Sequence, residues 1–353
     1  MVSNRLRRVR RAVGALAVVA LAAAAGATTV AGAATGDTWT AHPATEANNW
    51  LSVVYGNGVF VAVSVDGTNR VMTSTDGATW TAHAAAEANG WQGVTYGNGV
   101  FVAVAGDGTN EVMTSPDGAT WTAHAAAEAN NWLAVAYGNG VFVAVADTGT
   151  NRVMTSPDGA TWTAHAATEA NIWLAVAYGN GEFVAVAGDG TNRVMTSPDG
   201  VTWTAHAAAE ANGWGSVVYG NGVFVALAGS GTNEVMTSPD GATWTPHAAA
   251  EANGWTSVAY GNGAFVAVAF SGTNRVMTSP DGVTWTAHAA AEANDWSSVV
   301  YGNGLFVAVA GSGTDRVMTS GSLLPPPTTT TVTTAATPPP VVAPVVATPN
   351  FTG

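Results

Sequence analysis

The chain has no cysteine and no lysine. Without cysteine there is no disulfide, no thiolate metal site and no sulfur nucleophile, so stability must come from a packed core. Without lysine, all positive charge rests on ten arginines, and five of these fall within the first 11 residues. The remaining 5 arginines face 23 acidic residues, a net charge of −18 after residue 34. Binding to nucleic acid or to an anionic membrane draws on basic patches that release counterions, and this composition excludes them. Helix signals are weak, the Ala-rich AHAAAEAN stretches excepted.

The two ends differ from the middle. Residues 1–33 place RLRRVRR before an apolar run and end in AGA, the pattern of a secretory signal peptide cleaved after Ala33. Residues 323–353 are dominated by Pro and Thr, a composition for an extended linker or tether that packs no core. Proline interrupts each of its apolar runs, so it makes no membrane span. These readings predict a secreted protein, attached to the cell surface through the tail, with one folded domain over 34–322.

That domain is a repeat. One tryptophan series falls at 39, 80, 121, 162, 203, 244 and 285, and a second at 50, 91, 132, 173, 214, 255 and 296, both stepping by 41. Each unit holds four strand-like pieces. WLAVAYG (132–138) alternates and ends in an Asn-Gly turn, VFVAVA (141–146) follows, a polar loop leads to RVMTS, and PDGA turns into TWTAHA. About 40 residues and four strands per repeat is the period of a β-propeller blade. The array begins with a fourth strand at 38–42 and ends with a third strand at 316–320. The N-terminal strand therefore completes the last blade, giving an all-β, seven-bladed propeller of 28 strands. The seventh copy of the turn is split between the ends, with Ser320 on one side and Asp37 and Trp39 on the other. An open solenoid would leave its sheet edges unprotected.

The phrase SPDGATW (115–121) recurs with small changes at 74–80, 156–162, 197–203, 238–244 and 279–285. Ser-x-Asp followed by Gly, Thr and Trp resembles the Asp-box, or BNR repeat, of the sialidase-like superfamily. The family pattern has one more residue between Asp and Gly. The resemblance implies a hairpin between third and fourth strands at the outer rim, with Asp and Ser bonding the turn and Trp beneath it. It makes Asp76, Asp117, Asp158, Asp199, Asp240 and Asp281 structural. Sialidases would also imply an arginine triad, a Tyr–Glu pair and an acid/base Asp. Here the five later arginines (70, 152, 193, 275, 316) share one repeat position, which Glu111 and Glu234 fill in the other two blades. Catalysis needs groups in unlike environments. No acid–base pair is visible, so no enzyme, cofactor or metal is expected.

Each His sits in a fourth strand at the outer edge, too far from its neighbours to share a metal. The candidate ligand-binding residues lie where each inner strand begins: Glu46, Glu87, Glu128, Glu169, Glu210, Glu251 and Glu292, each four residues before Trp50, Trp91, Trp132, Trp173, Trp214, Trp255 and Trp296. Blade-to-blade variation gathers around these tryptophans and at Asp66, Asp107, Asp147, Asp189, Ser230, Ser271 and Ser312 in the loop between second and third strands. Variable loops on a rigid scaffold are where ligand sites form. The expectation is a monomeric binding or scaffold module, recognising glycans through exposed Trp or an extracellular protein on this top face. The alternatives are a sialidase-like glycoside hydrolase and a purely structural repeat protein.

Overall fold

The computed structural model describes residues 36–320. The signal peptide read over 1–33 and the tail read over 323–353 lie outside them. The described residues form 28 strands in seven four-stranded antiparallel sheets. After β1 (Thr40–His42), blade 1 consists of β2 (Trp50–Gly56), β3 (Val59–Ser64), β4 (Val71–Ser74) and β5 (Thr81–His83). Blades 2 to 6 repeat this pattern over 91–124, 132–165, 173–206, 214–247 and 255–288. Blade 7 has three strands of its own, Trp296–Gly302, Leu305–Ala310 and Val317–Ser320, and takes β1 as its fourth. Thr40, Ala41 and His42 pair with Thr319, Met318 and Val317. The first strand of every blade touches those of both neighbours, blade 7 touching blade 1, so the ring is closed.

Local chemistry sets each hairpin. Asn57 and Gly58 both have positive φ, 49° and 80°, the conformation of a two-residue turn whose twist matches the strands it joins. Beside it Tyr55 faces Phe60 across the strands, ring centroids 4.6 Å apart. At the other end of each first strand a bulge follows the Trp: Trp50 pairs with Ser64, and Ser52 with Val63. The extra residue re-aims the tryptophan into the sheet interface.

The core lies between blades. One face of a blade carries aromatics, Met and Ala, and the other carries Val. Trp91, Phe101, Ala103 and Met113 of blade 2 pack on Val54, Val61, Val63 and Val71 of blade 1. Burial on both faces explains the unbroken VFVAVA runs.

The strand directions sort the connections by end. The loops entering the first strands and the loops between the second and third strands, such as 43–49 and 65–70 in blade 1, lie at one end of the ring, called the top here. The YGNG and SPDGAT turns lie at the other. One turn is read differently by the structure than by the sequence. Gly36 has φ 78° and accepts a hydrogen bond from Trp39 Nε1 at 2.8 Å, as Gly77 does from Trp80 at 3.0 Å. Asp37 therefore stands at the position of Ala78, not of Asp76. It lies 3.4 Å from His288 Nε2 in blade 6 instead.

Candidate functional site

Each Asp turn at the bottom is closed by hydrogen bonds of its own. Asp117 Oδ1 accepts from Ser115 Oγ and from the main-chain N–H groups of Ala119 and Thr120, each at 2.9 Å. Ser115 Oγ in turn accepts from Gly118 N–H at 2.8 Å. The N–H groups of Thr120 and Ala119 hold the Asp117 carboxyl below the usual range. The same pattern recurs at Asp76, Asp158, Asp199, Asp240 and Asp281. Each histidine pairs across strands with a threonine, as His83 Nε2 does with Thr73 Oγ1 at 2.9 Å. Among the described residues no group of three His, Asp or Glu could hold a metal.

At the top, the expected tryptophan platform is not what the fold builds. Trp50, Trp91, Trp132, Trp173, Trp214, Trp255 and Trp296 are at most 2 % exposed and offer no ring face to a ligand. Their indoles fill the inter-blade core, and each Nε1–H donates to the carbonyl of the Glu four residues before, as Trp132 does to Glu128 at 3.0 Å. The glutamates are clamps. Glu87 accepts from the side chain and the main-chain N–H of Asn110, tying the entering loop to the loop after the second strand. The Asn110 side-chain amide, against the effect of burial, holds Glu87 below the usual carboxylate range. Glu46, Glu128, Glu169, Glu210 and Glu251 make the same hydrogen bonds with Asn69, Asn151, Asn192, Asn233 and Asn274, and Glu292 accepts from the N–H of Asp315.

The variable position after each tryptophan is packing as well. Leu133 and Leu174 are at most 3 % exposed and cluster with Ile172, while Thr256 Oγ1 donates to buried carbonyls. The loop acids have a structural task too. Asp66 and Asp189 accept from the N–H of Asn49 and Ile172 at 2.6 and 2.7 Å. Blade 3 breaks the expected series. Thr148, not Asp147, occupies that position, its Oγ1 accepting from Asn131 N–H at 2.9 Å.

The residues whose role the sequence reading left unassigned are the arginines. Arg70 of blade 1 donates through Nη1 to the carbonyls of Ala88 and Asn89, both at 2.7 Å, in the loop entering blade 2. Arg152, Arg193 and Arg275 repeat this staple, and Arg316 reaches Asn48. Five of the seven junctions are thus closed by a guanidinium. At the other two stand Glu111 and Glu234, 5 % and 4 % exposed. Asn130 N–H donates to Glu111 Oε2 at 3.2 Å. Burial raises the Glu111 carboxyl and pushes Glu234 up to about 7. The reversal of charge at one fixed repeat position was the available signal.

Residues 83–213 match the DUF6242 beta propeller domain family. No curated protein sequence matches the chain. Among solved structures, virginiamycin B lyase from Staphylococcus aureus superposes with a TM-score of 0.70 at 8 % identity, over 81 % of this chain and 99 % of that one. YCF48 from Cyanidioschyzon merolae gives 0.60 at 14 % identity, over 80 % and 98 %. YCF48 bound to D1 peptide gives 0.61 at 14 % identity, over 88 % and 97 %. At these identities the likeness is one of fold.

Proposed function

We propose that this chain is a secreted, non-catalytic binding propeller built on Asp-box repeats, and that its ligand is an extracellular protein or peptide held on the top end. One observation carries the reading. The surface differences between blades gather at the top, where Asn49, Asn131, Ile172 and Asp295 stand at one repeat position, beside the Arg/Glu junctions. The bottom keeps the YGNG turn in all seven blades and a near-identical SPDGAT turn in six. A rigid ring with one patterned end suits recognition. Burial of the inner tryptophans removes the stacking faces that a multivalent lectin would use, which favours a protein over a glycan. A propeller of this fold, YCF48, has been solved with a peptide bound. Secretion and tethering rest on the sequences of 1–33 and 323–353.

The test is a peptide library and a glycan array probed with the full chain, alongside a fluorogenic glycosidase panel. Saturable peptide binding that is lost in Ile172→Glu or Asp295→Arg, and kept in a bottom-turn variant such as Thr161→Arg, supports the reading. Turnover in the glycosidase panel would replace it with the hydrolase, and binding confined to glycans would replace the protein ligand.

A further inference from the structure

The two junctions without arginine are not alike. Between blades 2 and 3 the space beside Glu111 is filled by side chains. A Cβ on Gly106 would meet Asn131 Oδ1, and Gln92 Nε2 at 3.3 Å. At the equivalent positions between blades 5 and 6 stand Gly254 and Gly215, and a Cβ on Gly229 would meet only main-chain atoms, the nearest Trp255 O at 3.4 Å. The half-buried ring of Phe270 lies against Gly254.

The same junction keeps the acceptors that an arginine uses elsewhere. In blade 4 the guanidinium of Arg193 donates to Ala211 O and Asn212 O, each at 2.7 Å. One blade on, the matching carbonyls belong to Ala252, an exposed residue, and Asn253. The residue at the arginine position is Glu234, so among the described residues no guanidinium arrives. Glu234 adds a carboxylate to the two carbonyls, and its Oε2 is buried without a hydrogen-bond partner. An orphaned buried carboxylate oxygen is costly. A buried carboxylate oxygen without a partner, together with two carbonyls that lack the guanidinium received at five other junctions and a space free of filling side chains, matches a planar cation with several N–H groups.

We propose that the junction between blades 5 and 6 is a receptor for a guanidinium group, and that its occupant is an arginine side chain of the protein partner. The inference rests on the binding-propeller reading for the identity of that partner. The incoming arginine stands where the chain's own arginine stands at five other junctions. It lends the partner's charge to an acidic surface that has only five arginines of its own after residue 34.

The probe is N-acetyl-arginine amide, titrated into the full chain by calorimetry and by the NMR signal of the Trp255 indole N–H, with the neutral citrulline analogue beside it. Saturable one-site binding that moves the Trp255 signal, with no response to citrulline, is expected. Glu234→Arg supplies the guanidinium from within, as five junctions already do, so it should fold and lower the affinity for the arginine amide about tenfold or more. Glu234→Gln should lower it too, while Glu111→Arg should leave the Trp255 response intact. Equal binding of citrulline, unchanged binding in Glu234→Arg, or no saturable binding of the arginine amide would each overturn the proposal. A macromolecular ligand whose binding survives Glu234→Arg would leave the binding-propeller reading standing and end this one. Arginine-amide binding at Trp255 with no macromolecular ligand found would do the reverse.

Discussion

Arg316 of blade 7 donates to the main-chain carbonyl of Asn48, in the loop entering blade 1, at 2.6 Å and across 268 residues of sequence. Its Nε also holds Gly313 O at 3.1 Å. The ring is closed covalently nowhere. It depends on the short pairing of β1 with blade 7, on core packing and on this staple. Hydrogen bonds to charged groups contribute about 1.5–3 kcal/mol each, so Arg316→Ala should destabilise by an amount of that order in urea unfolding. Amide exchange in Thr40–His42 should also quicken. Arg193→Ala removes an equivalent staple between blades 4 and 5 and should cost a similar amount while leaving exchange in that strand unchanged. Equal exchange in both variants would mean that Arg316 has no special part in closure.

The six turn aspartates make the fold acid-sensitive in a defined window. Donors in the turn hold Asp117, Asp158, Asp199, Asp240 and Asp281 below the ordinary value, and Asp76 stays low against burial. A carboxylate depressed in the folded state contributes stability that is present above the unfolded value, about 3.9, and lost as pH falls through the folded one. The contribution of these aspartates should therefore be constant from pH 7 to about 5, and thermal midpoints should drop below about pH 4. Asp117→Asn should lower the midpoint at pH 7 and flatten part of the acid limb. An acid limb of unchanged steepness in a variant with several such replacements would assign the loss to other groups.

What the sequence made legible was whatever repeats. A strict step of 41 with four strand patterns per unit specifies blades, and the split fourth strand specifies closure. Periodicity says where a residue stands along a strand, but not which way a bulge turns it. Trp50 sits at the mouth of a loop in the sequence, yet the register shift after it sends the ring into the core. Asp147 looked like one of a series because it is an aspartate. The structure counts positions instead, and Thr148 makes the hydrogen bond. Glu111 and Glu234 were visible as exceptions, but their burial depends on a neighbouring blade that lies some 20 residues further along only once the loops meet.

Glu234 should act on stability in the opposite sense to the turn aspartates. Its folded value is about 7, raised by burial. An acid raised in the folded state is at no disadvantage at low pH, and it weakens the fold as pH rises from the unfolded value, about 4.3, through the folded one. Glu234→Gln removes that ionisation. The variant should match the parent near pH 4 and exceed it at pH 8.5, by up to about 3 kcal/mol for a shift of this size. Chemical denaturation at the two pH values checks this. A constant difference between variant and parent would mean that Glu234 ionises in the fold as freely as outside it.

Two glycines in one turn should respond differently to the same methyl group. Gly99 follows Asn98 in blade 2 with φ 80°, and a Cβ added there would meet nothing within 4 Å. Gly99→Ala therefore costs only the left-handed backbone, about 1–2 kcal/mol. Gly97, two residues earlier, has no positive φ, so its backbone would accept any residue. A Cβ there, however, would fall on the ring of Tyr137 in the next blade, with Tyr137 Cβ itself 2.6 Å away. Because Cβ and Cγ lie next to the backbone, rotating the tyrosine does not clear the clash. The blades would have to part, and Gly97→Ala should cost more than the roughly 1–3 kcal/mol of ordinary overpacking. The same contact joins every blade to the next, Gly302 on Tyr55 across the closure included. Urea unfolding of the two variants distinguishes the causes. If Gly99→Ala proved the more damaging, turn conformation rather than blade spacing would be what these glycines protect.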